Sequence, residues 1–410
     1  MKVKFLGHAC LYISDIDNSF VLDPYLEKSS WSGQLYVTET ANNWQEYIKK
    51  SDVIVFSHAH DDHYNEGMIK PNWDLFEGKT ILIPKFKARF FPQRLKDIGF
   101  ANIIEIDEGE TVAFGSITVS VAINDADMDS SWFFENSSGK SILAQTDNLD
   151  LESLNKFSGK VDVLWYMYGQ TGIFPTFLDV SFEEKVRLLD AKRNSWYGKL
   201  RSFISQIKPK YAYGYASDMY YGHAFEANLV EASLDYPPDL LKAAPGFTID
   251  LDSSDVDGEY LSKNKKLSRL YDALARDKSD IAAFQRTLVQ EEIKLNEDEI
   301  SQLFSIFIDN LSKSCCSLEG VVNCQIELIE LSGNVKHSTK LALGKPHANE
   351  TLNMSLTIPL VYLSLLSQSR IEMGAIALWN GAISFLREDP DVMSGLERGF
   401  WRSFRRMPYY

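Results

Sequence analysis

The sequence predicts an α/β protein that continues into a smaller α+β region, and three observations carry that prediction. Short apolar runs punctuated by Gly, Asp and Asn fill the first 120 residues, with helical patches between them. One of these runs, residues 53–57, leads directly into a cluster of metal-ligand side chains. After an Asp/Ser-rich stretch at residues 250–257 the chain changes character, and histidines become sparse.

Taken in order, strands are predicted at residues 2–6, 10–14, 19–22, 53–57, 80–84, 102–106, 111–114 and 117–123. Residues 2–6 alternate polar and apolar side chains, as a half-buried strand does, whereas 53–57 is continuously apolar up to its serine, as a buried strand is. Further apolar runs at 141–144, 161–166 and 211–215 read as strands. Helices are predicted at 44–50 and at 87–98, the second interrupted by Pro92. A long amphipathic helix is predicted over 181–207, with Ser181 as N-cap and Glu184 as its capping-box partner. It carries Lys185, Arg187, Lys192, Arg193, Lys199 and Arg201, which read first as a solvated face. Beyond 255, helices are expected at 266–276 and 297–311, and strands at 323–331, 337–343 and 351–358. Trp379, Phe385, Phe400, Trp401 and Phe404 are bulky apolar residues near the end. The expected division is a first domain over 1–255 and a second over 256–410.

With 410 residues, 45% hydrophobic and 12% aromatic, the chain buries a sizeable core, which argues against disorder. A formal charge of −15 disfavours nucleic acid and anionic membranes as partners, since phosphate binding needs clustered Lys and Arg. Cys10, Cys315, Cys316 and Cys324 form no paired framework. The N-terminus opens on a strand rather than a leader, and residues 358–366 are too short to span a bilayer, so a soluble cytoplasmic protein is expected.

The chemistry is concentrated in His58-Ala59-His60-Asp61-Asp62-His63, which holds three of the seven histidines. Neutral imidazole and ionised carboxylate are the usual ligands of zinc and non-haem iron. His58 and His60, two apart, can point one way, while Asp62 and His63 face a second position, a pattern suited to two metal ions.

This motif resembles the signature of the metallo-β-lactamase superfamily. Leu6-Gly7-His8-Ala9-Cys10-Leu11 and Val21-Leu22-Asp23-Pro24 resemble the opening hairpin of its ascorbate-6-phosphate-lactonase-like branch. The resemblance implies an αββα sandwich with metals at one edge of the two sheets. It also implies a bridging Asp at Asp147 and a last histidine ligand at His223. The remaining ligand of that family is usually a histidine on the loop after a strand, but the matching loop, residues 123–129, contains none. Asp125 aligns best by position, with Asp127 next. His58, His60, Asp125 and Asp147 would then surround one ion, and Asp62, His63 and His223 would complete the other. Asp62 and Asp147 are the candidate catalytic groups. Two histidines and a carboxylate with open positions suit iron that activates oxygen.

Gly169–Thr176, the basic helix and Tyr215–His223 resemble CMP-N-acetylneuraminate hydroxylases and their bacterial relatives, as does the segment from Glu388 to Trp401. That similarity implies oxygen-dependent hydroxylation. The Rieske cluster of those enzymes needs two Cys and two His at close spacing, which this sequence lacks, so the electron source is expected to be a separate protein or reductant. The leading expectation is therefore a di-iron oxygenase, with Mn or Zn as alternative metals, O2 as co-substrate and a small polar molecule as substrate, an anionic one among the candidates. The competing expectation is a phosphodiesterase- or lactonase-type hydrolase using a metal-bound hydroxide. His8 is expected close to the metals as a hydrogen-bonding neighbour of the ligands, and Asp23 as a residue that orients His58 or His60.

Overall fold

The computed structural model describes residues 1–363 and 384–387, apart from 28, 31–34, 126–127, 170–174, 176–177, 179, 217–218, 223–224, 317, 319, 333, 346–350 and 362. Its first part is an αββα sandwich. One sheet has eight strands in the order Asp255–Asp257, Thr248–Asp250, Lys2–Gly7, Cys10–Ser14, Ser19–Leu22, Val53–Val55, Thr80–Pro84 and Asn102–Ile106. The other has six, in the order Tyr211–Tyr215, Val163–Met167, Ser141–Ala144, Asp129–Asn136, Ile117–Asn124 and Thr111–Phe114.

The inner faces meet in one apolar core. Phe5 packs against Trp165 and Tyr215, with ring centroids 5.8 and 6.3 Å apart, and Phe20 against Phe134 at 5.4 Å. The continuous apolar run at Val53–Val55 follows from its place between parallel neighbours, Ser19–Leu22 and Thr80–Pro84, where both faces are covered. Short helices Trp44–Lys50, Trp73–Phe76 and Phe90–Asp97 cover the outer face of the first sheet with Trp44, Ile48, Phe76, Phe91 and Leu95. Pro92 does not break its helix. It lies in the first turn, where backbone N–H groups have no intrahelical partner to lose.

The long helix runs from Phe182 to Ile207 and covers the second sheet with Trp196, Leu200, Phe203 and Ile207. Ser181 Oγ accepts from Glu184 N at 3.2 Å, as the N-cap pattern predicts, and the Glu184 carboxylate accepts from Arg187. Arg193, in the basic stretch of this helix, pairs with Glu231.

The second part contains helices Lys263–Arg276, Lys278–Lys294 and Glu297–Cys315. Its sheet is ordered Val335–Gly344, Val321–Ile329, Thr351–Pro359 and Ser384–Arg387. Alternate residues of Val321–Ile329 (Val322, Cys324, Ile326 and Leu328) enter a core with Ile300, Phe307 and Leu311, and this core also takes in Leu35, Leu178, Leu188 and Tyr221 from the sandwich side. The strand Asp255–Asp257 pairs with Thr248–Asp250 as the edge of the eight-stranded sheet, so the sandwich extends to residue 257. Trp379, Phe400, Trp401, Phe404 and the similarity noted from Glu388 to Trp401 lie outside the described residues, as does most of 169–176. Among the described residues, no helix is long and apolar enough to cross a membrane.

Candidate metal centre

The Val53–Val55 strand ends at the edge of the sandwich, and Phe56 N still donates to Leu82 O at 3.0 Å before the chain turns. From that turn His58, Asp62 and His63 point inward and are buried, while His60 is exposed. His58 Nε2 and His60 Nδ1 converge to 2.8 Å. His63 Nε2 lies 3.4 Å from Asp147 Oδ1 and 3.9 Å from Asp62 Oδ2. Asp147 reaches the site from the turn after Ser141–Ala144. There Gln145 Nε2 donates to Asn148 O at 2.8 Å and Gln145 Oε1 accepts from Met167 N at 3.1 Å, which pins both sides of the loop.

Among the described residues, three groups of ligand atoms come within 4.8 Å of one another: His58, His60 and Asp129; His58, His63 and Asp147; and His8, Asp62 and His63. The first and last share no residue and the middle one joins them, which is the arrangement two neighbouring ions need. The donors are imidazole and carboxylate throughout, and His63 Nε2 is buried without a hydrogen-bond partner. The residues present fit a dinuclear metal centre.

Asp125 is not part of it. Its carboxylate accepts from Lys87 N at 3.0 Å and pairs with Lys87 Nζ at 3.1 Å, on the rim. The carboxylate beside His58 and His60 belongs to Asp129, whose Oδ1 is 3.7 Å from His58 Nε2. The reason is the register of the hairpin. Asn124 pairs with Asp129, so Asp129 opens a strand, Asp129–Asn136, that residue-type preferences do not reveal because it begins Asp-Ser-Ser. Those serines were the available signal: Ser130 Oγ donates to Ser57 O at 2.7 Å and Ser131 Oγ to Gln145 O at 2.6 Å, tying the strand to both ligand loops. Asp127 and His223 lie outside the described residues.

Asp23 organises the histidines. It is fully buried and accepts from Ser57 N at 2.7 Å, Ser57 Oγ at 2.6 Å and His63 Nδ1 at 2.8 Å. A carboxylate only accepts, so His63 carries a proton on Nδ1 and presents Nε2 to the site. Ser57 has one hydroxyl proton, which goes to Asp23, so at 2.8 Å it accepts from His58 Nδ1 and leaves His58 Nε2 for a metal. Asp23 thus orients His63 directly and His58 through Ser57, rather than His60.

Charges in the site follow from these distances. Burial opposes a charged His63, but Asp147, Asp23 and Asp62 outweigh it and raise its pKa well above the ordinary histidine value, so a proton occupies Nε2 in the metal-free site and a bound cation would displace it. His58 is pushed well below that value by burial and by His63 and His60. Burial would raise the Asp62 and Asp147 carboxyls, yet the neighbouring histidines, His63 first, hold both below the usual range. Both are ligand-ready anions at neutral pH.

The backbone around the site is unusual. His8, Asp23, Thr146 and Ala216 have φ of 42°, 44°, 53° and 58°, in the left-handed region that non-glycine residues rarely adopt. Thr146 N donates to Tyr215 Oη at 3.0 Å, and Ala216 N donates to His8 O at 2.6 Å, so hydrogen bonds across the site hold these turns.

The sandwich, the histidine run and the dinuclear donor set coincide with a family match: residues 2–165 match the family model of the beta-lactamase superfamily domain. This segment is a metallo-β-lactamase-fold domain. Curated relatives align over parts of it. A UPF0282 protein of Sulfolobus acidocaldarius is 33% identical over 92 residues, covering 20% of this chain and 29% of that protein. The 4-amino-L-phenylalanyl-[CmlP-peptidyl-carrier-protein] 3-hydroxylase of Streptomyces venezuelae is 25% identical over 123 residues, 28% of this chain and 22% of that protein. The cytidine monophosphate-N-acetylneuraminic acid hydroxylase of Cricetulus griseus is 29% identical over 87 residues, 20% of this chain and 16% of that protein. The chain therefore spans less than a third of the length of each of these relatives. Among solved structures, the diiron β-hydroxylase CmlA from Streptomyces venezuelae is similar at 18% identity and a TM-score of 0.38, covering 53% of this chain and 44% of that one. An isothiocyanate hydrolase from Delia radicum gut bacteria is similar at 16% identity and a TM-score of 0.40, covering 61% and 99%.

Tyr168, Tyr220 and Tyr221 are buried, consistent with packing. Tyr220 Oη donates to Asp277 at 2.6 Å. His337 stacks on Phe304 at 5.5 Å in the second part, and His347 lies outside the described residues.

Proposed function

We propose that the metallo-β-lactamase-fold domain is a dinuclear iron oxygenase that hydroxylates or N-oxygenates a small polar substrate with O2. The observation that carries this reading is Asp129, a buried carboxylate beside His58 and His60 where hydrolytic relatives usually present a histidine. Two histidines and a carboxylate are the ligand set of oxygen-activating non-haem iron, and an added anion stabilises a higher iron oxidation state. Two partial relatives are named as hydroxylases, which supports the same direction.

In this reading, His58, His60 and Asp129 would hold the first ion and Asp62 and His63 the second, with the Asp147 carboxylate available to both. The ions, when bound, supply the redox chemistry for reducing O2. Asp23 and Ser57 keep His58 and His63 in the tautomers that ligate. One oxygen atom enters the substrate and the other leaves as water, so each turnover takes two electrons from an external donor protein or reductant. Asp147, with 20% of its side chain open to solvent, and the exposed His60 lie on the open side of the centre, which is the side a substrate would use.

The test is metal analysis of aerobically purified protein with O2-uptake measurements in the presence of a reductant. Two irons per chain and reductant-dependent O2 uptake are expected. Two zincs with no iron, and no O2 uptake after iron reconstitution, would overturn the proposal. Turnover of a phosphodiester or lactone by that zinc form would establish the hydrolase alternative.

A further inference from the structure

We propose that His8, in the turn that follows the first strand of the fold, is a protein ligand of the second metal ion. The inference rests on the dinuclear reading above and adds a donor from outside the histidine run.

His8 is 1% exposed, and neither Nδ1 nor Nε2 has a hydrogen-bond partner. Buried polar groups are normally satisfied, so an imidazole whose Nε2 faces a carboxylate at 3.5 Å, beside a metal-ligand cluster, calls for a better partner. His8 Nε2 lies 3.5 Å from Asp62 Oδ2, and Asp62 Oδ2 lies 3.9 Å from His63 Nε2. These separations are long for hydrogen bonds. Two donors each about 2.05 Å from one tetrahedral ion, however, stand about 3.4 Å apart. The His8 ring meets His63 edge-on at 5.5 Å and Tyr25 at 5.8 Å, so it is wedged in one orientation.

The backbone points the same way. Gly7 has φ of +140°, and a Cβ there would stand 3.0 Å from Glu39 O, so only glycine lets the strand turn at this point. His8 itself is left-handed, and its carbonyl is held by Ala216 N at 2.6 Å. Strand Lys2–Gly7 ends in a turn that a histidine adopts at a cost, and the effect of that turn is to hold the imidazole against Asp62 and His63.

The experiment titrates metal-free wild-type, His8→Gly and His8→Asn proteins with Co(II), following visible absorption and counting bound ions after gel filtration. Glycine and asparagine both tolerate the left-handed backbone, so both variants should fold, which far-UV circular dichroism checks. Wild type should bind two ions. The variants should keep the first and bind the second more than about 100-fold more weakly, beyond the effect of losing an outer hydrogen bond to a ligand. Free imidazole should restore the second ion's affinity and absorption in His8→Gly, which a packing role would not do. Two ions bound with wild-type affinity and spectrum in both variants would overturn the proposal, as would weakening that imidazole does not rescue. If neither variant folds, 15N-histidine NMR of the wild-type zinc form decides: a metal-shifted His8 ring nitrogen supports ligation and an unshifted one refutes it. A wild type that binds fewer than two ions would instead defeat the dinuclear reading.

Discussion

Replacing Asp23 by Asn tests the tautomer relay, because it removes a charge while preserving shape and left-handed tolerance. The asparagine oxygen can still accept from Ser57 N, which now bonds Asp23 Oδ1 at 2.7 Å. Its amide nitrogen then takes the place of Oδ2, 2.6 Å from Ser57 Oγ and 2.8 Å from His63 Nδ1. Donor faces donor at both contacts. His63 escapes by moving its proton to Nε2, the nitrogen that faces Asp62 and Asp147. Ser57 turns its hydroxyl towards His58 Nδ1, which drives the His58 proton to Nε2 as well. Both histidines then present N–H where a metal needs a lone pair. Loss of such outer hydrogen bonds typically weakens metal binding about 10- to 100-fold, or roughly 1.4–2.7 kcal/mol per ion. Competition against a chromophoric chelator at neutral pH measures this directly, and both ions should be affected because the relay reaches both histidines. An Asp23→Asn protein that folds and binds two ions with wild-type affinity would refute the tautomer assignment.

Three further outcomes follow from particular contacts. Asp129→Ala should remove one of two bound ions, whereas Asp125→Ala should keep both and change stability by less than about 0.5 kcal/mol, as counted by elemental analysis and thermal melting. Glu66 is held below the ordinary carboxyl range: burial raises it, but hydrogen bonds from Lys70 and Arg94 outweigh that. Its stabilisation is therefore complete above its unfolded value of ~4.3 and is lost as pH falls through the folded value, so the acid limb of a melting profile should be shallower in Glu66→Gln. Trp165 is fully buried among Phe5, Tyr213, Tyr215 and Phe247, and Trp165→Ala should destabilise by about 3–5 kcal/mol in urea unfolding.

The sandwich was legible in the sequence wherever a strand buries apolar side chains. The strands at Cys10–Ser14, Ser19–Leu22, Thr80–Pro84, Asn102–Ile106 and Tyr211–Tyr215 lie where their patterns place them. The same pattern fails for Asp129–Asn136, whose first inward positions are polar because they hold loops rather than fill a core. That failure hid Asp129 and favoured Asp125, the nearer aspartate in the chain. The helix Lys278–Lys294 was also missed, since no strong cap or breaker separates it from Lys263–Arg276. Spacing alone singled out His58, His60, Asp62 and His63, which the structure brings into neighbouring groups of ligand atoms. The roles of Asp23 and His8 could not be read that way, because they depend on pairings across 40 and 54 positions of chain, Asp23 with His63 and His8 with Asp62.

The four left-handed residues around the centre have an energetic consequence. At about 1–2 kcal/mol each, they place roughly 4–8 kcal/mol of conformational tension in the loops. The hydrogen bonds from Thr146 N to Tyr215 Oη and from Ala216 N to His8 O hold it in place without a metal ion. Metal uptake then has little ordering left to do, and loss of metal should leave the cradle standing. Ala216→Gly, which removes the left-handed cost at one of these positions, should raise the melting temperature and, if it loosens the turn that holds the His8 carbonyl, weaken metal binding.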